Sequence, residues 1–534
     1  MSRRNMSQRL EKRSDRLRLG RVQSSTSRCT EEKGCTTPSF GSSSYCVNPK
    51  LEPLLIPIPF FGVTHSEYYC ILFSWNYSIG NFTWYLSLSF KGRKQTKSTP
   101  RKVIDVEPEP EPDPDRISCL PGHVIDQILT YLPIREAVRT SVLSKKWRNK
   151  WYTLPNLVFD RQCLSAAAYE DTLVIQMKFL KIVNSVLLHH SGPINIFKFS
   201  MCAPIDESLV SDVDQWILYL SRKSIKELVL DVCTEELYKI PWCLFSCQSL
   251  HHLKLHFCCL KPPTLFKGFR SLKSLDLNHV AVAQDAFENL ISGCPLLEKL
   301  KLTEVGGFAQ IDICAPNLKF LEIHGEYEGI NFNNTFQLAT LVIDLWWDFN
   351  FENSNQGRSR GHSSNMLKFF DHRPHIQCLV IRSCFLKYLT AGVLPKKLPT
   401  PCMDLSHLSL SINFDDLKEI SAALCLLRSS PNLRKLEIFK EIEVHTVPLT
   451  PAAYCWEKIF SAPAMPIRVR HVTIDGIFGN KLELDFIKFL LLYSPVLEKM
   501  TVKPVENFIP ELMRGLIRFK RASGEAEVIL EDFT

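Results

Sequence analysis

The first periodic stretch of the chain begins at residue 120. In Leu120 to Pro133 the apolar side chains fall at positions 124, 125, 128, 129 and 132, the spacing of one helical face. Pro121 suits the start of that helix and Pro133 its end. Residues Ile134 to Ser141 and Leu143 to Tyr152 read as two further short helices. A module of about forty residues with three short helices holds little core of its own, so part of its apolar surface is expected to await a partner.

From residue 225 onward the pattern becomes an internal repeat with an L-x-x-L-x-L frame. It appears at Ile225/Leu228/Leu230, Leu250/Leu253/Leu255, Leu272/Leu275/Leu277, Leu297/Leu300/Leu302, Leu318/Leu321/Ile323 and Leu338/Leu341/Ile343, with starts 25, 22, 25, 21 and 20 residues apart. Looser copies follow at Ile376/Leu379/Ile381, Leu405/Leu408/Leu410, Leu433/Leu436/Ile438, Val469/Val472/Ile474 and Leu497/Met500/Val502. Each frame predicts one short strand with its apolar residues inward, backed by a helix or an irregular turn, as at Asp285 to Ile291. Consecutive strands stack in parallel in such a solenoid. The residues between the leucines then line a concave face: Val229, Asp231, Lys254, His256, Asp276, Asn278, Lys301, Thr303, Glu322, His324, Val342 and Asp344. Mixed signs and chemistries along that row suit a protein epitope better than a phosphate ladder or a greasy cleft. The interval from 338 to 376 is longer than the rest, and Trp346, Trp347, Phe349 and Phe351 sit in it; packing of one repeat on the next is the expected use of these rings, a binding patch the other.

Residues 1–104 are basic or aromatic with little periodicity and are expected to be largely disordered. Residues 107–115, an alternation of acidic residues with proline, cannot form helix or sheet and predict an extended spacer, so 105–115 is a linker. Tyr68 to Phe90 carries no charged residue or histidine and is long enough to span a bilayer. Its Ser74, Asn76, Ser78, Asn81, Thr83, Ser87 and Ser89 make it polar and aromatic instead, and no membrane span is expected there. The basic run Lys91 to Lys97 is a solvated linker or an import signal. No secretory leader is recognisable in the Arg-rich start.

Charge narrows the partners. The formal net charge is +8, but residues 1–104 hold 17 Lys and Arg against 6 Asp and Glu, which leaves the remainder at −3. A body so close to neutral lacks the electrostatic footprint of nucleic-acid binding. The 19 cysteines are odd in number, form no C-x-x-C pair and lie mostly in apolar runs, as expected of free thiols in a reducing compartment, the cytoplasm or nucleus.

No G-x-G-x-x-G, Walker-type, G-x-S-x-G or H-E-x-x-H signature is present, so an enzyme and a bound cofactor are not expected. The densest group of soft ligands, Cys243, Cys247, His251 and His252, straddles a repeat junction where alternation splits it between faces, so no metal is expected. The paired carboxylates Asp415-Asp416 and Glu235-Glu236 fit solvated loops.

Two stretches resemble a known family. Arg116 to Phe159, with Asp115-Arg116-Ile117-Ser118-Cys119-Leu120-Pro121 and Leu132-Pro133-Ile134-Arg135-Glu136-Ala137-Val138-Arg139-Thr140-Ser141-Val142-Leu143-Ser144-Lys145-Lys146-Trp147-Arg148, resembles a plant-type F-box. Val472 to Gly479, Leu490 to Met500 and Phe519 to Val528 resemble the FBD region that accompanies such modules. The chain is therefore similar to the plant F-box/FBD/leucine-rich-repeat proteins, with an F-box at 116–160, repeats at 161–455 and an FBD region at 456–534. The resemblance implies an α/β architecture and a non-catalytic substrate-recognition subunit of an SCF-type ubiquitin ligase. It implies docking on a Skp-type linker, and through it a cullin, by Leu120, Pro121, Ile125, Ile128, Leu129, Leu132, Pro133, Val138, Val142, Leu143 and Trp147; for Val138 and Leu143, packing within the module is an equal alternative. The competing readings are a repeat scaffold with no part in ubiquitin transfer, and a chain tethered through its first hundred residues.

Overall fold

In the computed structural model the chain divides into two units, Met1–Glu111 and Pro112–Thr534. Two strands are described in the first, Cys70–Ser74 and Tyr85–Ser89, paired antiparallel. In the second the description covers residues 117–531 apart from 118, 165–170, 202–203, 328, 346–364, 371–374, 384, 391, 442–459, 461–465 and 506–509. The acidic proline spacer, the basic run 91–97 and the Trp346, Trp347, Phe349 and Phe351 cluster lie outside the described residues.

The second unit is organised by a fourteen-stranded sheet running from Asn156–Phe159 to Glu527–Leu530. Every pairing in it is parallel, and strands follow one another in sequence order apart from short strands that form two small sheets of their own. The leucine frame explains the register. Leu228 lies beside Leu253, Leu253 beside Leu275, then Leu300, Leu321, Leu341, Leu379, Leu408 and Leu436 in one continuous row. Each is at most 3 % exposed, so a slip of one residue in any strand would turn a whole apolar row to solvent.

Two rungs precede the first frame recognised in the sequence. Asn156–Phe159 and Ile196–Ser200 bury Leu157, Phe159, Phe197 and Phe199 in the same inward positions. Phe179 of the helix Thr172–His189 stacks on Phe199 at 5.3 Å, and Trp216 of the helix Val210–Ser221 meets Phe199 edge-on at 5.0 Å. Among the described residues Thr172–His189 is also the one helix long and apolar enough to cross a membrane, but Phe179, Leu180, Val183, Val186 and Leu187 are buried in this packing.

Helices back the ladder where the sequence supplies them, as at Gln284–Ser292, the element expected at Asp285 to Ile291. Elsewhere repeats meet backbone to backbone. Gly268 (φ +88°) lies so close to Gly293 that a Cβ would approach its carbonyl oxygen to 2.1 Å, which leaves room for glycine alone.

The last rungs, His471–Ile477, Lys499–Pro504 and Glu527–Leu530, continue the same sheet. They are fastened by a buried ion pair. Glu483, at the third position of the helix Lys481–Tyr493, accepts hydrogen bonds from the Phe478 and Asn480 amides at 3.0 Å and meets Lys440 Nζ at 2.6 Å. Their side chains are 0 % and 7 % exposed. The reciprocal bonds between Asn480 and Glu483 make a capping box, so one carboxylate satisfies the helix start and neutralises a lysine.

Candidate functional site

The helical module at the head of the ladder holds the residues singled out for partner docking. Its elements are the helix Gly122–Thr130, the helix Ile134–Arg139 prolonged by the 3-10 turn Thr140–Val142, and a second 3-10 turn at Lys150–Thr153. The third helix expected over Leu143 to Tyr152 is a correction: residues 145–149 are turns. They swing Trp147 inward, where it is 1 % exposed and its indole N–H donates to the Ile117 carbonyl at 3.2 Å.

The eleven residues expected at the linker contact divide into two groups. Ile125, Ile128, Leu129 and Trp147 are between 0 and 5 % exposed. They form, with Ile134 and Ala137, the small core of the module; a side chain covered by its own chain holds the helices together and presents little surface of its own. Leu120, Leu132 and Val138 are half-buried, while Pro121 and Pro133 are exposed. Val142 is 87 % and Leu143 47 % exposed. Tyr131, at 59 % exposure, is also open to solvent and was not anticipated; it occupies the C-cap position of the first helix, where the apolar period gives no signal.

The module is fixed to the first rungs by polar contacts. Arg135 donates to the Leu164 carbonyl at 3.1 Å, the Ser191 amide donates to the Tyr152 carbonyl at 2.9 Å, and buried His190 bonds to the Leu154 carbonyl through Nε2 at 2.8 Å. Tyr152 and Trp151 also pack on the His189 ring.

The concave row is brought together as expected, because its members alternate with the buried leucines along each strand. Its charges are paired sideways, from rung to rung. Lys254 meets Asp276 at 3.2 Å, Lys301 pairs with Glu322, and His256 Nδ1 lies 3.7 Å from Asp231, which accepts from Ser200 at 2.9 Å. His324 sits between Asp344 at 3.1 Å and Glu322 at 3.0 Å. The bond to Asp344, opposed by burial and aided by Glu322, raises the His324 imidazole above its ordinary value. Burial, by contrast, is the main reason His256 is lowered. Val229, Asn278, Thr303 and Val342 complete the row, all half-buried. An open hollow of about 300 Å³ dips into it between Val229 and Lys301, lined also by His252, Lys254, Ser274 and Asp276.

The ligand-like group at Cys243 to His252 is dispersed. Cys243 and Cys247 are buried, burial pushing the Cys247 thiol up to about 12, whereas His252 is exposed at the start of a strand. Among the described residues no three histidine, cysteine or carboxylate side chains gather into a metal site.

Comparison with known proteins agrees with this anatomy. The family model for the F-box domain matches residues 117–159, and the model described as FBD-associated F-box protein At5g56370, LRR repeats, matches 213–438. The F-box/FBD/LRR-repeat protein At1g13570 of Arabidopsis thaliana is 38 % identical over 422 residues, which cover 77 % of this chain and 97 % of the relative. Two further Arabidopsis proteins are similar: F-box/FBD/LRR-repeat protein At5g56420, 33 % identical over 44 % of this chain and 56 % of its own, and putative F-box/FBD/LRR-repeat protein At4g26350, 24 % identical over 72 % and 90 %. With an F-box head, a leucine ladder and a relative matched along nearly its whole length, this chain belongs to the F-box/FBD/LRR-repeat family, whose members are generally adaptors rather than enzymes.

Proposed function

We propose that the protein is a substrate-recognition subunit of an SCF-type ubiquitin ligase, working in the cytoplasm or nucleus. The helical head docks on a Skp-type linker and through it on a cullin, and the concave face holds a target protein. The observation that carries this reading is the exposure of Val142, Leu143, Tyr131, Pro121 and Pro133 on a module whose inward positions are already filled. Apolar groups left exposed beside a closed core mark a protein contact. Catalysis on this reading is proximity: the adaptor raises the effective concentration of a target at an active site that another subunit supplies.

The test is a binding measurement between the full chain and a purified Skp-type linker. Changing Val142→Asp together with Leu143→Asp should weaken the complex roughly a thousandfold, because buried interface anchors contribute about 2 kcal/mol or more each. Wild-type affinity in the double variant would overturn the docking assignment. Binding that is lost, with no rise in the abundance of any protein captured by the ladder when the adaptor is removed, would favour a scaffold with no part in ubiquitin transfer.

A further inference from the structure

Beyond the recruiting row, the concave face carries one arrangement with the geometry of an activated nucleophile. Cys378 opens the strand Cys378–Ser383, and its register partner on the next rung is His407. Since Leu379 and Ile381 point inward at 0 % exposure, alternation places Cys378 on the concave side. Its Sγ lies 3.4 Å from His407 Nδ1, and His407 Nε2 lies 3.1 Å from a carboxylate oxygen of Glu437 one rung further on. The other Glu437 oxygen is held by Lys435 at 2.7 Å. Thiol, imidazole and carboxylate thus stand in series across three strands, with His407 and Glu437 side chains 27 % and 24 % exposed.

This is the nucleophile, base and orienting group of covalent chemistry, defined by mutual reach and not by sequence order. For Nδ1 to accept from the thiol, Nε2 carries the ring proton and donates it to Glu437; the carboxylate thereby selects the tautomer that leaves a base facing sulfur. Although burial opposes its ionisation, bonds from Lys435 and His407 hold the Glu437 carboxyl below its ordinary value. Burial pushes the Cys378 thiol up, the Glu437 charge adding to it, so the thiol is protonated near neutrality and its reactivity depends on the adjacent base. Of the other described cysteines, Cys233 and Cys259 are half-buried as Cys378 is. Cys258, Cys402 and Cys425 are buried, and Cys119 and Cys314 are exposed.

We infer that Cys378 is a base-assisted acceptor site for soft carbon electrophiles of the α,β-unsaturated carbonyl class, set on the face that receives the target protein. In the step, Sγ forms a bond to the β-carbon as the carbon–carbon π bond breaks. The thiol proton passes to His407 Nδ1 and then to the α-carbon, so the adduct forms by addition alone, with no oxidant, reductant or leaving group. A group attached there lies beside half-buried Val380, the next outward position of the same strand, while Ser409 on the adjacent strand is 2 % exposed and bounds the space on that side.

The experiment is timed labelling of the full-length protein with N-ethylmaleimide, an activated alkene, read at each cysteine by peptide mass spectrometry. Cys378 is expected to react about tenfold or more faster than the more exposed Cys119 and Cys314, with His407→Gln slowing Cys378 by at least that factor and leaving the other two unchanged, since a positioned base contributes about a hundredfold or more. Glu437→Gln should slow Cys378 less. In the wild type the rate at Cys378 should level off below the pH near 8.5 where free thiols ionise. A rate at Cys378 no higher than at Cys119 and Cys314, a rate indifferent to His407→Gln, or a wild-type pH profile that follows free-thiol ionisation would each overturn the assignment. The wild-type profile decides the matter even where a variant folds poorly. None of these readouts involves the linker, so their failure leaves the docking proposal standing.

Discussion

The head and the concave face of this protein solve opposite problems with the same alternation of apolar and polar side chains. In the head, the inward positions Ile125, Ile128 and Leu129 are filled by its own helices while Val142 and Leu143 remain in water. On the ladder every inward leucine is covered, and the outward charges are matched to neighbours one rung away. A surface of unsatisfied apolar groups gains most by being covered once and durably. A surface of internally paired charges gains little from any single contact and can exchange partners at low cost. On the proposed reading, the contrast separates a constant docking element from an adaptable recognition element within one continuous unit.

The strongest way to break that contrast is through the head. If Val142→Asp with Leu143→Asp, predicted to reduce linker affinity about a thousandfold, also lowered the unfolding midpoint appreciably, the two side chains would belong to the module's core and the distinction would fail. Surface substitutions of this kind are expected to move stability by no more than about 0.5 kcal/mol.

The Lys440 and Glu483 pair supplies the next largest effect, because it is the exception on the ladder. Removing one partner of a buried pair strands the other charge, so Lys440→Ala should cost about 3–5 kcal/mol in denaturant unfolding. A loss below about 1 kcal/mol, the range of exposed pairs, would mean that water reaches Glu483.

Exposed pairs on the concave row sharpen the comparison from the other side. Asp276→Asn breaks the contact with Lys254 and is expected to change stability by at most about 1 kcal/mol; a larger loss, seen by thermal melting, would show that the row is part of the structural core.

The smallest effect is a pH dependence. His324 is raised in the folded chain, so its contribution to stability is complete below the unfolded value near 6.5 and is lost as pH rises through the folded value. The unfolding midpoint should therefore fall slightly over that window in the wild type, and the fall should shrink in His324→Asn. Equal pH slopes in the two proteins would remove His324 from the account.

The leucine frame made the ladder legible because a strand buried on one side has little freedom in what it places inward. Its first rungs were harder to see. Leu154/Leu157/Phe159 and Ile194/Phe197/Phe199 keep the spacing but use phenylalanine to reach the larger helices behind them, so a search for leucine passes over them. The ladder accordingly begins at Asn156, inside the stretch assigned to the F-box. In the head, the helical period located the apolar face yet could not divide it between core and exposed surface. Ile128 and Val142 look alike in sequence, and only the packing of the module settles that the first is covered and the second is not. The Cys378, His407 and Glu437 series had no sequence signal, since 29 and 30 residues separate its members and stacking alone brings them side by side.

One feature of the stack reaches beyond this chain. The strands Thr340–Leu345 and Cys378–Ser383 are neighbours in unbroken register although far more residues lie between them than between Phe320–Gly325 and Thr340–Leu345. Chain length between rungs is thus decoupled from register along the sheet. Insertions and deletions between rungs can graft new segments onto the molecule while each strand residue keeps its address relative to the next.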